Sequence, residues 1–276
     1  MKTINTIKKA SLATLLTFVL SFSSVFAQND TMYIMKSGAI VGQYNVNTEV
    51  DSVIFYKPTI EETTSETFID SRDGNEYNWV QIGDQVWMAE NLAYLPSVNM
   101  VADGSEDAAG SYYYVYGYDG TNVADAKATD NYATYGVLYN WTAAMDGEAS
   151  STTNPSGIQG VCPAGWHLPS DAEWTELTDY LGGTSDAGGK LKETGTTHWN
   201  SPNTGATNET GFTALPGGYR NFNGTFNYFG YNGNWWSATE NSTHGAWYRN
   251  MYFNFSNVYR NFVNKELGFS VRCLRD

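Results

Sequence analysis

The chain has 276 residues, among them 27 Gly, 20 Tyr, 13 Phe and 9 Trp, and a formal net charge of −14. That acidity excludes partners held mainly through phosphate contacts, namely nucleic acid and anionic membrane surfaces. With 15% aromatic and only 16% charged residues, the composition suits a β- and loop-rich extracellular protein and is unusual for an enzyme of this size.

Lys2, Lys8 and Lys9 precede an apolar stretch from Ala10 to Phe26 that ends in Val25-Phe26-Ala27. Small residues at the −3 and −1 positions suit signal peptidase, so residues 1–27 are read as a signal peptide cleaved after Ala27. A membrane anchor is the alternative, but Thr17, Ser21, Ser23 and Ser24 interrupt the run, and a span needs about 20 apolar residues. Export to the extracellular space or outer cell surface is therefore expected, with the periplasm as an alternative. The leader removes lysines and no acid, which leaves the mature chain still more acidic. No later segment is long and apolar enough to span a bilayer.

Residues 28–56 alternate apolar and polar positions around Ser37-Gly38 and predict a small β module of two or three strands. "KPTIEETTSET" (57–67) is polar and Pro-containing, the composition of a linker. A domain over 68–276 then opens with "FIDSRDGNEYNWVQIGDQVWMAENL", where Asp73-Gly74 and Gly83-Asp84 supply the positive-φ residues of tight hairpins. Residues 98–131 predict a long loop, acidic at its ends with a tyrosine cluster between. "YGVLYNWTAAM" (135–145) spaces Leu138, Trp141 and Ala144 for a short helix. "PSDAEWTELTDYLGG" (169–183) is the strongest helix signal in the chain. Ser170 and Glu173 form a capping box, Trp174, Leu177 and Leu181 share one face, and Gly182-Gly183 end it. Residues 198–212 predict a loop. Strands follow at 212–216, 225–229, 234–238, 246–255 and 266–274, so the fold class is α+β, two short helices with an antiparallel, loop-rich sheet.

"GVCPAGWHLPSDAEW" (160–174) sets one of two cysteines close to one of three histidines. A catalytic cysteine needs a free thiolate. In an exported protein, however, Cys162 and Cys273 are expected to form a disulfide. It would close a loop of about 110 residues, worth on the order of 4–5 kcal/mol in the chain-entropy account. His167 then reads as a structural group bonded to a backbone carbonyl. His167, His198 and His244 are scattered without the close spacing of a zinc site. No cofactor is expected. Calcium is the one metal option, with Asp84, Glu173 and Glu240 as oxygen ligands, although nothing matches a calcium-loop spacing. Paired glycosidase carboxylates meet only in space and leave no signal here. No Gly-rich phosphate loop follows a strand and opens a helix.

The richest surface candidate is "FNYFGYNGNWWSATENSTHGAWYRNMYF" (226–253), in which aromatics alternate with Asn, Ser, Thr and Arg. Aromatic faces stack on the apolar C–H faces of sugars, and polar neighbours reach the hydroxyl edges. The candidate ligand-binding residues are Tyr228, Tyr231, Asn234, Trp235, Trp236, Glu240, Trp247 and Arg249. The same alternation marks a half-buried strand. Trp235 and Trp236 read first as core, and regular strand geometry would turn the neighbour of an inward one outward. Tyr228, Tyr231 and Asn234, near the turn, are the exposed ones.

"VQIGDQVWMAENL", "YGVLYNWTAAM", "VCPAGWHLPSDAEWTEL", "GGKLKETGTTHW", "GFTALPGGYRNFNGTF", "WWSAT" and "GFSVRCLRD" together, in order over about 68–276, resemble the Fibrobacter succinogenes major paralogous domain. The resemblance implies an exported or surface-displayed protein of Fibrobacteres or Bacteroidetes, in a family whose biochemical role is mostly unassigned. Residues 32–58 are similar to a short strand module of secreted Bacteroidetes proteins. More distantly, "WHLPSDAEW" and "GFSVRCLRD" resemble the helix start and closing strand of formylglycine-generating enzymes, which implies a C-type-lectin-like fold. The reactive cysteines of those enzymes have no counterpart between Cys162 and Cys273. The Glu-Pro-Asn and Trp-Asn-Asp motifs of calcium-dependent lectins are also absent. Neither activity carries over; a scaffold for variable loops does.

The leading expectation is an exported, non-enzymatic surface protein that binds a polysaccharide or a cell-surface protein. The second is a structural, cell-envelope assembly or adhesion component. The third is a hydrolase or oxidase.

Overall fold

The computed structural model describes residues 31–36, 39–45, 66–105 and 107–276. The chain divides into two compact units, Met1–Glu61 and Glu62–Asp276. Residues 1–27, read as a signal peptide, the Ser37-Gly38 turn and most of the stretch read as linker lie outside the described residues. In the first unit β1 (Thr31–Lys36) and β2 (Ala39–Asn45) pair antiparallel, with a register shift at Ile34/Met35.

In the second unit β3 (Glu66–Ile69), β4 (Glu76–Ile82) and β5 (Gln85–Met88) form the expected meander. β3 begins inside the stretch read as linker. Gly74 and Gly83 adopt φ of 79° and 63° at the two turns, which a side-chain-bearing residue seldom does. Short elements follow: β6 (Tyr113–Tyr114), α1 (Val123–Lys127), α2 (Asp130–Tyr135), β7 (Leu138–Tyr139), α3 (Trp141–Met145), β8 (Trp166–His167), α4 (Asp171–Tyr180) and α5 (Ala187–Leu191). Six later strands complete the unit: β9 (Tyr219–Asn221), β10 (Thr225–Asn227), β11 (Asn232–Glu240), β12 (Gly245–Tyr252), β13 (Tyr259–Asn264) and β14 (Leu274–Arg275). The principal sheets are β3-β4-β5-β14-β8 and β11-β12-β13. β14 lies between β5 and β8, so the beginning and end of the unit share one sheet.

Helix α4 follows the sequence closely. Ser170 Oγ accepts from the Glu173 N–H at 3.1 Å, and Glu173 Oε2 accepts from the Ser170 N–H at 2.8 Å. Trp174 and Leu177 are fully buried. The predicted 135–145 helix is instead a succession: Gly136 at φ 70° ends α2, β7 crosses, and Asn140 caps α3. The described residues of the 98–131 segment include β6 and α1. Buried Arg220 pins it by donating to the Val101 and Asp103 carbonyls and Ser105 Oγ, at 2.9, 2.7 and 2.7 Å. Residues 212–216 form only one bridge, Ala214 to Lys192, because Pro216-Gly217-Gly218 turns the chain away. β13 was not predicted, and 266–274 runs as isolated bridges before β14.

Two aromatic clusters fill the interior, and β11 runs between them. Trp236 packs with Phe269 (ring centroids 4.5 Å apart) in a cluster that also holds Trp141, Leu168 and the disulfide. Trp235 lies with Trp87, Trp174, Trp199 and Phe212 in the other. Both tryptophans are fully buried, so the inward–outward alternation expected for the pair fails. The reason is that both faces of β11 are interior. Each indole N–H finds a partner, Asn91 Oδ1 at 2.9 Å for Trp235 and the Tyr139 carbonyl at 2.8 Å for Trp236.

Candidate functional site

Cys162 and Cys273 are bonded, with Cα atoms 5.9 Å apart, and no described cysteine is free. A thiolate nucleophile is therefore absent from the Cys162–His167 stretch. His167 does not reach a backbone carbonyl. Its Nε2 lies 2.8 Å from Glu173 Oε1 and its Nδ1 lies 2.7 Å from Asp276 Oδ1. A neutral imidazole has one N–H, so bonding two carboxylates requires the imidazolium. Burial pulls the His167 pKa down, but the bonds to Glu173 and Asp276 more than offset it and hold it above the usual value of 6.5. His167 is thus a latch between α4 and the last strand, with both nitrogens committed.

The sign of its pH dependence follows. A pKa raised on folding gives stability that is fully present below the unfolded value and is lost as pH rises through the folded one. We expect the melting midpoint to fall as pH rises above the unfolded value of about 6.5, and His167→Gln to flatten that slope. A variant that keeps the wild-type slope would assign the dependence to other groups.

His167, Glu173 and Asp276 line a cleft of about 590 Å³ with Asp84, Asn154 and Glu176. Glu173 Oε2 also accepts from the Ser156 N–H at 3.1 Å, so both its oxygens serve the fold. Of the calcium candidates, Asp84 and Glu173 line this cleft, whereas Glu240 is away from it and pairs with Lys265 at 2.8 Å. Among the described residues no group of three or more His, Cys, Asp or Glu side chains is arranged to hold a metal ion.

The eight expected ligand-binding residues divide three ways. Asn234, Trp235, Trp236 and Arg249 are interior and have no surface to offer a ligand. Arg249 donates to Asp171 Oδ1 at 2.6 Å and to the Asp171 carbonyl at 2.9 Å. Asp171 also takes Arg260, and the two arginines hold its carboxyl below the usual carboxylate range although burial opposes them. Glu240 and Trp247 belong to the far end and outer face of the β11–β12 hairpin, where Arg260 stacks 3.5 Å above the Trp247 ring. Only Tyr228 and Tyr231 meet, with ring centroids 6.4 Å apart and both side chains exposed.

Those two tyrosines open a shelf that sequence reasoning saw only in part. A shallow cleft of about 450 Å³ is lined by Tyr116, Asn227, Tyr228, Phe229 and Tyr231. Tyr219 stacks on one face of Tyr228 at 5.8 Å, with the planes 13° apart. Phe229 packs against Tyr116 at 4.8 Å and against Tyr135 at 4.8 Å. Tyr228 adopts φ 60°, a conformation seldom taken by bulky residues, and its carbonyl accepts from the Tyr231 and Asn232 N–H groups. Gly218, at φ 63°, lets this tip sit close, because a Cβ there would collide with the Asn227 carbonyl. Tyr116 comes from the tyrosine cluster of the 98–131 segment, a signal that marked the residues without showing what they would meet.

Among the described residues no helix is long and apolar enough to cross a membrane. No curated protein and no solved structure matches the chain. The model of the Fibrobacter succinogenes major domain matches residues 80–275, and the protein, in which the disulfide, the capped helix and the aromatic shelf all fall within that span, belongs to this family.

Proposed function

We propose that this is an exported, non-enzymatic surface protein that binds a polysaccharide through the Tyr116–Tyr219–Tyr228–Phe229–Tyr231 shelf, carried on a C-type-lectin-like scaffold. The observation that carries the binding reading is Tyr228: an exposed tyrosine (55% accessible) held in a left-handed conformation, braced from behind by Tyr219. Strain of this kind persists where the surroundings over-determine it, and it clusters at ligand clamps. A ring braced on one face and open on the other binds without losing much side-chain freedom. The lectin-like scaffold is supported by the sheet that joins β3 and β14 at the two ends of the unit. The non-enzymatic reading is supported by the bonded Cys162 and the doubly committed His167. Export is supported by the leader-like residues 1–27 and the acidic composition.

Pull-down on a panel of insoluble polysaccharides tests the reading. We expect retention on at least one, with Tyr228→Ala and Tyr231→Ala each weakening it about tenfold, or about 1.4 kcal/mol. Retention on none, or retention indifferent to both changes, would count against it. The runner-up, an envelope assembly or adhesion component, draws on β13, an outer strand with Phe262 exposed beside Trp247. Concentration-dependent assembly in light scattering without polysaccharide retention would favour it instead.

A further inference from the structure

Near the shelf lie polar side chains whose hydrogen-bonding groups are unspent. The segment 198–200 alternates. Trp199 is buried and donates to the Ala214 carbonyl at 2.9 Å, while His198 and Asn200 are part-exposed on the other side. The Asn200 N–H donates to the Gly230 carbonyl at 2.9 Å, and the Asn200 amide approaches the open side of Gly230, next to Phe229. His198 meets the edge of Tyr135 at 5.8 Å, and Tyr135 meets Phe229 at 4.8 Å. The segment is also anchored from within, because Asn203 Nδ2 donates to the carbonyls of Glu193 and Gly195 at 2.8 and 2.6 Å.

His198 Nδ1 lies 2.9 Å from both oxygens of Glu193. A carboxylate on Nδ1 places the proton there, so in the neutral ring Nε2 carries the lone pair and is an acceptor. Among the described residues neither His198 Nε2 nor the Asn200 side-chain amide has a hydrogen-bond partner. Glu193 is the one carboxylate in this arrangement and is engaged by His198. The cleft is lined by Tyr116, Asn227, Tyr228, Phe229 and Tyr231, with no Lys, Arg, Asp or Glu side chain.

We infer that His198 and Asn200 form the polar edge of the shelf, with Glu193 as the positioning residue, and that together they select an uncharged oligosaccharide over a charged one and over a monosaccharide. This rests on the reading of the shelf as a polysaccharide site. The chemistry is complementary. Rings stack on Tyr228 and Phe229, a sugar hydroxyl donates to His198 Nε2, and the Asn200 amide both donates and accepts. Acidic sugars would find no lysine or arginine among these residues and would meet a chain of net charge −14. Tyr135 is in ring contact with both His198 and Phe229, and a chain of several sugars can cover the shelf rings and this edge together, where a single sugar makes only part of those contacts.

The test uses the full chain, labelled with ¹⁵N at histidine, titrated with tetrasaccharides of β-1,4- and α-1,4-linked glucose, with glucose, and with tetragalacturonate. We expect the free protein to show the Nδ1–H tautomer at His198. We further expect at least one neutral tetrasaccharide to move the Nε2 resonance, with glucose and tetragalacturonate silent at the same concentration. His198→Gln and Asn200→Ala should each weaken that tetrasaccharide about tenfold with unchanged melting. Glu193→Gln should shift the tautomer signature and weaken binding with it. Should His198→Gln fail to fold, the wild-type resonance still decides the matter. A tetrasaccharide that is weakened by Tyr228→Ala but leaves the Nε2 resonance unmoved, or is bound equally by His198→Gln, overturns the polar edge and spares the shelf. Binding of none of the neutral tetrasaccharides overturns both.

Discussion

Trp236→Ala is expected to lower the folding free energy by about 3–5 kcal/mol, and Trp235→Ala by a similar amount. Each indole is fully buried, and the two lie in different clusters on opposite faces of β11. Removing either leaves a cavity that β11 cannot close, because the strand is held by β12 on one edge and bridges Ser270 through Trp235. Trp236→Phe separates packing from hydrogen bonding. It keeps most of the ring contact with Phe269 and Tyr248 but removes the indole donor, leaving the Tyr139 carbonyl with the Phe269 N–H alone. That carbonyl is also a weaker loss than an orphaned charge, so we expect about 1 kcal/mol. Urea denaturation midpoints for the three variants measure this. A loss under about 1 kcal/mol for one of the alanine variants would place that ring on the surface, as simple strand alternation implies, and would return it to the list of ligand contacts.

Cys162→Ser with Cys273→Ser is expected to cost on the order of 4–5 kcal/mol, the chain-entropy value for a loop of this size. The cross-link joins residues 111 apart in sequence. It ties the segment before β8 to the one before β14, and both cysteines are fully buried. Native protein should therefore show no reactive thiol and should resist reductant until it unfolds. Denaturation with and without reductant reads the effect directly. Identical midpoints would mean that the sheet and the His167 latch hold the ends together without the bond.

Much of the scaffold was legible in local sequence. Ser170 and Glu173 announce α4 because a capping box is satisfied within one turn, by atoms adjacent in the chain. Asp73-Gly74 and Gly83-Asp84 announce their turns because positive φ is a local demand. The cysteine pairing was legible because the chain holds only two. The helix expected over 135–145 holds only for Trp141–Met145: Leu138, Trp141 and Ala144 fit a helical period, yet Leu138 and Tyr139 pair with β6, and the burial of those side chains is served equally well by a strand.

The candidate site was half legible. Tyr228 and Tyr231 were found because the Gly/Asn-rich stretch around them marks a turn, and turns lie at the surface. Trp235 and Trp236 are the core residues they first read as; they, Asn234 and Arg249 also stood as ligand candidates because alternation cannot tell a strand with one buried face from a strand buried on both. Tyr116, Tyr135, His198 and Asn200 were missed as neighbours of the shelf because they come from three distant segments.

The sequence by itself determined the acidic, aromatic, loop-rich character, the capped helix, the hairpin turns and the one possible disulfide, since each depends on composition or on neighbours in the chain. Only the tertiary structure decided where the cations go. Lysine and arginine are ordinarily exposed, yet Lys192, Arg220 and Arg272 are all fully buried. Lys192 donates to the Thr204, Tyr252 and Phe255 carbonyls, and Arg272 to the Ala89 and Phe212 carbonyls and Asn91 Oδ1. Burial pulls the Lys192 pKa down to about 8 and that of Arg272 to about 9. In a fold with so few long strands and helices, irregular backbone enters the interior with its carbonyls unpaired. Buried ammonium and guanidinium groups satisfy them, and which carbonyls need a donor is known only once the loops have met.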